Sequence, residues 1–155
     1  MTKKQQVGRE PLERAMRLRS MLWDGTPEER EAVLRLCQED PVAFFEAAVW
    51  TKRVKVVDEQ GRERPAKYPA TPMIPWPRQA DAIHSIVNSV ENGQDVLFVK
   101  SREMGASWIT LGLSVWGWLF KSWSSLLCSR TETLVDRSGD EDALFQRIDF
   151  IISHL

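Results

Sequence analysis

The stretch Asp95-Val96-Leu97-Phe98-Val99-Lys100-Ser101-Arg102-Glu103-Met104-Gly105-Ala106-Ser107-Trp108 decides how the rest of the chain is read. It opens with a short apolar run, Val96 to Val99, bounded by Asn92-Gly93 before it and a charged loop after it. An apolar run of this length between turn signals predicts a buried strand of the parallel kind. From Ala106 to Phe120 the chain is apolar again, long enough to predict a helix. Strand, loop with a late glycine, helix is the layout of a phosphate-binding loop. In such a loop the anion rests on free backbone N–H groups at the helix N-terminus, where the dipole favours negative charge.

The motif G-x-x-x-x-G-K-[ST] can be laid on these residues one by one. It places Lys100, Ser101, Arg102, Glu103, Met104, Gly105, Ala106 and Ser107 in order. Gly105 falls where backbone must approach phosphate or take a positive φ, which glycine does without steric cost. Ser107 falls where a hydroxyl holds Mg²⁺. Two positions depart from the rule: Lys100 stands for the first glycine and Ala106 for the usual lysine. The departures can compensate, because Lys100 sits at the other lip of the loop with a side chain long enough to reach β- and γ-phosphates. Arg102 offers a planar fork suited to phosphate. The competing reading is an ordinary strand–turn–helix with a chance Gly-x-Ser.

A length of 155 residues suffices for one domain with a core of its own. A hydrophobic content of 43% and a charged content of 28% place the chain among soluble globular proteins. Residues 1–78 carry 15 basic and 12 acidic side chains, and residues 79–155 carry 6 and 10. Neither half is a polycation, which argues against strong non-specific binding of nucleic acid. Cys37 and Cys128 make no disulfide framework and have no metal spacing, and His84 and His154 give no basis for a zinc site or a catalytic triad. The N-terminus lacks the apolar core of a signal peptide. The 17 uncharged residues from Met104 to Phe120 reach the lower limit for a membrane span, so a membrane anchor competes here with a helix buried on all sides.

Residues 9–23 suit a helix with Leu12, Met16, Leu18 or Arg19, and Leu22 at helical spacing. Thr26-Pro27-Glu28-Glu29 predicts the next start: Thr26 as N-cap, Pro27 in first position and Glu29 closing a capping box, with the helix ending near Glu39. Asp40-Pro41 repeats the signal, and Val42 to Trp50 reads as a buried helix. Residues 1–50 thus form an expected helical leader. Residues 51–75 read as a hairpin and an extended connector, from the alternation of Val54-Lys55-Val56, the turn residues 58–61 and the prolines beyond Tyr68. Lys52, Arg53, Lys55, Arg62, Arg64 and Lys67 cluster there, either as a phosphate-backbone contact or, in the plainer reading, as a solvated hairpin face.

Pro75-Trp76-Pro77-Arg78-Gln79 leads into a helix to Glu91. A glutamine can pair with the N6 and N7 edge of adenine, and Trp76 can lie against the base. Beyond the apolar helix, Ser124 to Cys128 predicts a second strand, Thr131 to Arg137 a short helical piece, and Asp140-Glu141-Asp142 the acidic first turn of a last helix.

Taken together, roughly residues 40–155 resemble the large terminase subunits of tailed bacteriophages, the ATP-driven motors that package DNA into proheads. Lys100 to Trp108 resembles their deviant Walker A motif, with the cation at the start of the loop. Ser129-Arg130, Val135 to Gly139 and Leu144-Phe145 resemble the stretch that follows it. Trp76 to Gln79 sits where the family's adenine-recognition segment lies. The resemblance implies an α/β fold: a partial RecA-like P-loop NTPase with a parallel sheet behind the helical leader, its incomplete ATPase domain spanning residues 76–155. It implies ATP and Mg²⁺ as cofactors. Lys100 and Arg102 would bind the triphosphate, and the loop amides of Ser101, Glu103, Met104, Gly105 and Ala106 would cradle it. Ser107 would ligate Mg²⁺, and Gln79 would read adenine beside Trp76.

The same resemblance implies a small terminase subunit and a portal or prohead as partners. Double-stranded DNA would be engaged through a complete oligomeric motor in the cytoplasm of a bacterial host carrying a phage or prophage. The chain departs from the family in having no apolar strand ending in Asp-Glu and no acidic nuclease domain. The expectation is therefore a truncated motor subunit with weak or no ATPase and no nuclease activity. Two other classes remain open, a non-catalytic remnant that docks on a terminase component and a small membrane-associated protein anchored by residues 104–120; within the same class, the alternative is a fragment of another P-loop ATPase such as a helicase.

Overall fold

The computed structural model describes residues 9–52, 55–57, 60, 62–65, 70–101, 104–140 and 142–155. Three helices open it: α1 (Arg9–Trp23), α2 (Pro27–Glu39) and α3 (Pro41–Ala47). Local chemistry sets the starts of α2 and α3 as the sequence predicts. The Thr26 N–H donates to Glu29 Oε2 at 2.9 Å, and Thr26 Oγ1 accepts from the Glu29 N–H at 3.3 Å, closing the capping box. Asp40 ends α2 and caps α3, its carboxylate accepting from the Val42 N–H at 2.9 Å. Every residue from Pro41 to Val49 is buried, with α1 and α2 packed on either side.

The third helix stops three residues short of the expected Trp50, and Arg19 reaches in from α1 to carbonyls in and just beyond its last turn. Arg19 Nη2 donates to Val49 O at 2.8 Å and to Phe45 O at 3.4 Å. Its guanidinium lies 4.6 Å from the Trp50 ring centroid. Burial lowers its pKa to about 10, so the cation persists at neutral pH. Arg14 Nε lies 3.1 Å from the carboxylate of Glu46, whose pKa burial pushes up.

Trp50 begins a nested antiparallel arrangement. The strand β1 (Trp50–Lys52) pairs with β4 (Ala70–Pro72), and between them β2 (Lys55–Val57) pairs with β3 (Glu63–Pro65). The sequence signalled the inner hairpin; the outer ladder, with Thr51 opposite Thr71 and Lys52 opposite Ala70, formed from what read as an extended connector. Then follow α4 (Pro77–Glu91), α5 (Ala106–Lys121), the short α6 (Glu132–Val135) and α7 (Leu144–Ile152). The last begins after the acidic cluster rather than in it: Asp142 precedes the helix and holds Arg147 at 2.7 Å.

One apolar core runs through all of this, from Leu18 to Ile151. The central helix α5 is locked to the leader by Trp116, whose Nε1 donates to Cys37 O at 2.7 Å. It approaches α3 closely where it has no side chain: a Cβ on Gly112 would lie 2.6 Å from Phe45 ring carbons. Among the described residues no helix is long and apolar enough to cross a membrane. The uncharged run 104–120 instead buries Ile109, Leu111, Leu113, Val115 and Trp116 within the protein.

The expected parallel sheet of a RecA-like P-loop NTPase is not formed. Among the described residues every ladder is antiparallel and two-stranded, and the protein is mostly helical. Residues 95–99 and 124–128, expected as the two sheet strands, are unpaired. An extended backbone must direct its N–H and C=O groups to a neighbouring strand or to water. Among the described residues no strand pairs with either segment, although Leu127 packs against the core. Leu97 and Leu126 are each 90% exposed, Val99 is 87% exposed, and Val96 and Phe98 are 41% exposed.

Candidate functional site

The N-terminus of α5 faces the start of α4 across a cavity of about 330 Å³. Its walls include Lys52 from β1, Thr71 from β4, Trp76 and Gln79 from the start of α4, and Gly105 and Trp108 from the start of α5. The size falls in the range of small-ligand pockets.

Gln79 joins the two helix starts. Its Oε1 accepts from the Trp76 N–H at 2.9 Å, which steadies the first turn of α4 behind Pro77. Its Nε2 donates to Met104 O at 3.0 Å, in the loop before α5. Both ends of the amide are engaged, so reading an adenine edge requires Gln79 to share its remaining N–H or exchange a partner. The Trp76 indole is 60% exposed at the cavity rim, with an open face for a flat aromatic ligand.

Gly105 is the N-cap of α5 with φ 73° and ψ 11°, the left-handed conformation its place in the motif calls for. Its carbonyl accepts from the Ile109 N–H at 3.0 Å, and no side chain caps the helix. The first amides of α5, those of Ala106, Ser107 and Trp108, therefore have no acceptor within the helix and carry its positive dipole end. A Cβ on Gly105 would come within 3.1 Å of Gln79 Nε2. Glycine therefore suits this position twice, by its positive φ and by the closeness of the glutamine.

The remaining expected site residues lie apart from this cavity or outside the described residues. Ser107 is exposed on the first turn of α5. Lys100 and Ser101 are exposed on the extended segment and do not line the cavity. Arg102 and Glu103 lie outside the described residues. Among the described residues no three His, Cys, Asp or Glu side chains stand close enough to hold a metal ion. The fit to Mg²⁺ is therefore one hydroxyl, that of Ser107, and the ion would come with its phosphates as ligands.

Residues outside the expected nucleotide site also build the cavity. Lys52 and Trp108 line the first cavity and a second one of about 360 Å³, which also touches Gly139, Arg147, Asp149 and Phe150. Trp108 packs edge-to-face on Phe150 with ring centroids 6.0 Å apart. Thr51 Oγ1 lies 3.1 Å from Thr71 Oγ1 across the β1–β4 ladder that holds Lys52 in place. The basic run around Lys52 was visible in the sequence, but its placement depends on a pairing twenty residues away.

Comparison with protein-family models, with curated proteins and with solved structures found no match for this chain.

Proposed function

We propose that the chain is an ATP-binding part of a DNA-packaging motor similar to the large terminase subunits of tailed bacteriophages, with the nucleotide held between the starts of α4 and α5. The observation that carries this reading is the Gln79 side chain, which ties Trp76 to Met104 and so brings the two stretches of the resemblance to one cavity. Trp76 would stack on the base and the α5 amides after Gly105 would receive phosphate, while Ser107, exposed on the same first turn, would offer a hydroxyl to Mg²⁺. Without a strand fixing the other lip of the loop, binding rests on the helix start alone, and hydrolysis is weak or nil. The small terminase subunit, the portal and double-stranded DNA belong to the complete motor.

Calorimetric titration with Mg-ATP tests the reading. Wild type should bind, and Trp76→Ala should weaken binding about tenfold through loss of base stacking. Absence of binding by wild type at millimolar nucleotide, or a Trp76→Ala variant equal to wild type, would contradict it. The uncovered apolar residues Leu97, Val99 and Leu126 favour a second reading, a non-catalytic protein docking on a terminase component. That protein would be indifferent to ATP.

A further inference from the structure

Charged and titratable groups from α1, α3 and α4 meet at the junction of α2 and α3. Glu46 of α3 is buried, with 4% of its surface exposed. Its ion-pair partner is Arg14 of α1, with Nε 3.1 Å from Oε2, yet that oxygen accepts no aligned hydrogen bond. Arg14 is half exposed and also serves Asp40, its Nη2 lying 3.5 Å from Oδ2. Asp40 caps α3 through the Val42 N–H, and His84 Nε2 of α4 lies 3.7 Å from its Oδ1. The buried Cys37 thiol of α2 feels both carboxylates and stays neutral. Arg19 donates to Phe45 O and Val49 O, and Lys121, the only charge on α5, pairs with Glu91 at 3.2 Å.

One half-exposed cation thus stands against two carboxylates, one of them buried. Taking a carboxylate out of water is costly unless its partners make up for it, and solvent weakens attraction to an exposed cation. Burial pushes the Glu46 carboxyl above its ordinary pKa; Arg14 pulls it down by less, and Asp40 adds to the rise. We propose that Glu46 is a proton-operated clasp, holding α1 and α2 on α3 most firmly when protonated and less firmly when ionised. A carboxyl whose pKa is higher in the folded chain adds stability below its unfolded value, and that contribution is lost as pH rises through the folded value. Acid therefore tightens the leader and alkali loosens it, the reverse of what an exposed Arg–Glu ion pair does.

The test is denaturant titration of the full chain from about pH 5 to about pH 8, with Glu46→Gln as the permanently neutral form of similar shape. Both chains carry His84→Gln, so that the imidazole beside Asp40 does not titrate. The unfolding constant of the glutamate chain, divided by that of Glu46→Gln, should rise with pH, by at most about tenfold per pH unit for one proton. A constant ratio would overturn the proposal. So would a ratio that falls as pH rises, which would mean that the pairing with Arg14 outweighs burial. Carbon NMR of the Glu46 carboxyl in the wild-type chain asks the same question without mutation. It should titrate above the exposed glutamates, and titration with them or below them would overturn the clasp.

Discussion

The segments 41–49 and 94–101 have comparable apolar runs and opposite fates. Pro41 to Val49 is buried throughout, with Phe45 and Val49 fully out of solvent, while Gln94 to Ser101 is exposed throughout. The difference lies in the backbone. A helix satisfies many of its own N–H and C=O groups and is then free to bury side chains, with Arg19 donating from outside to Phe45 O in α3 and to Val49 O just beyond it. An extended run depends on a neighbour for its hydrogen bonds, and no described element supplies one. Composition makes both segments candidates for the core; only the self-sufficient one reaches it.

Mutation should separate the two regions widely. Phe45→Ala, which empties a fully buried ring site beneath Gly112, should cost about 3–5 kcal/mol in a denaturant titration. Leu97→Ala should change stability by less than about 0.5 kcal/mol, since its side chain meets water already. Equal losses would mean that 95–99 is covered in solution and that the contrast is false.

A smaller effect is expected at the junction of the site. Gly105→Ala places a Cβ on a left-handed residue and against Gln79, and should destabilise by about 1–2 kcal/mol in the same titration. No loss of stability would mean that the backbone at Gly105 is not held in this conformation.

Much of this was legible from local chemistry. Thr26-Pro27 with Glu29, Asp40-Pro41, Pro77 and Asn92-Gly93 mark helix ends, because caps act over three or four residues. The long apolar run of α5 was legible for the same reason. The two expected sheet strands were misread, since Val96 to Val99 carries the same apolar signal whether or not another strand lies beside it. In the site, Gly105, Gln79 and Trp76 could be picked out by motif spacing. Lys52 was visible only as one of a basic cluster, because its place beside Trp108 comes from the pairing of Trp50 with Pro72 and the packing of β1 on α7.

The two cysteines report on the same contrast without mutation. Cys37 is buried in α2, and burial pushes its thiol up to about 12. Cys128 lies exposed in the uncovered segment after α5. A thiol reagent at pH 8 should titrate one thiol quickly in the native protein and both in denaturant. Rapid reaction of both thiols would show that the leader opens as readily as the uncovered segment.

An effect smaller than that at Gly105 belongs to Ser122, which ends α5 with φ 55° while the Trp123 N–H donates to Gly117 O at 3.0 Å. Glycine relieves a left-handed residue of its side-chain cost, so Ser122→Gly should stabilise by up to about 1 kcal/mol, read from the denaturant midpoint. Destabilisation would mean that the serine hydroxyl or the tighter unfolded chain matters more than the strain.

The measurement that bears most directly on the account is a thermal melt with and without saturating Mg-ATP. Ligand at about 100 times its Kd adds roughly 2.7 kcal/mol to the folded state, and for a chain of this size each kcal/mol moves the midpoint by about 2–4 °C. The account predicts a cooperative melt that rises by roughly 5–10 °C. A cooperative melt that does not move would contradict the nucleotide site between α4 and α5 and favour the docking protein.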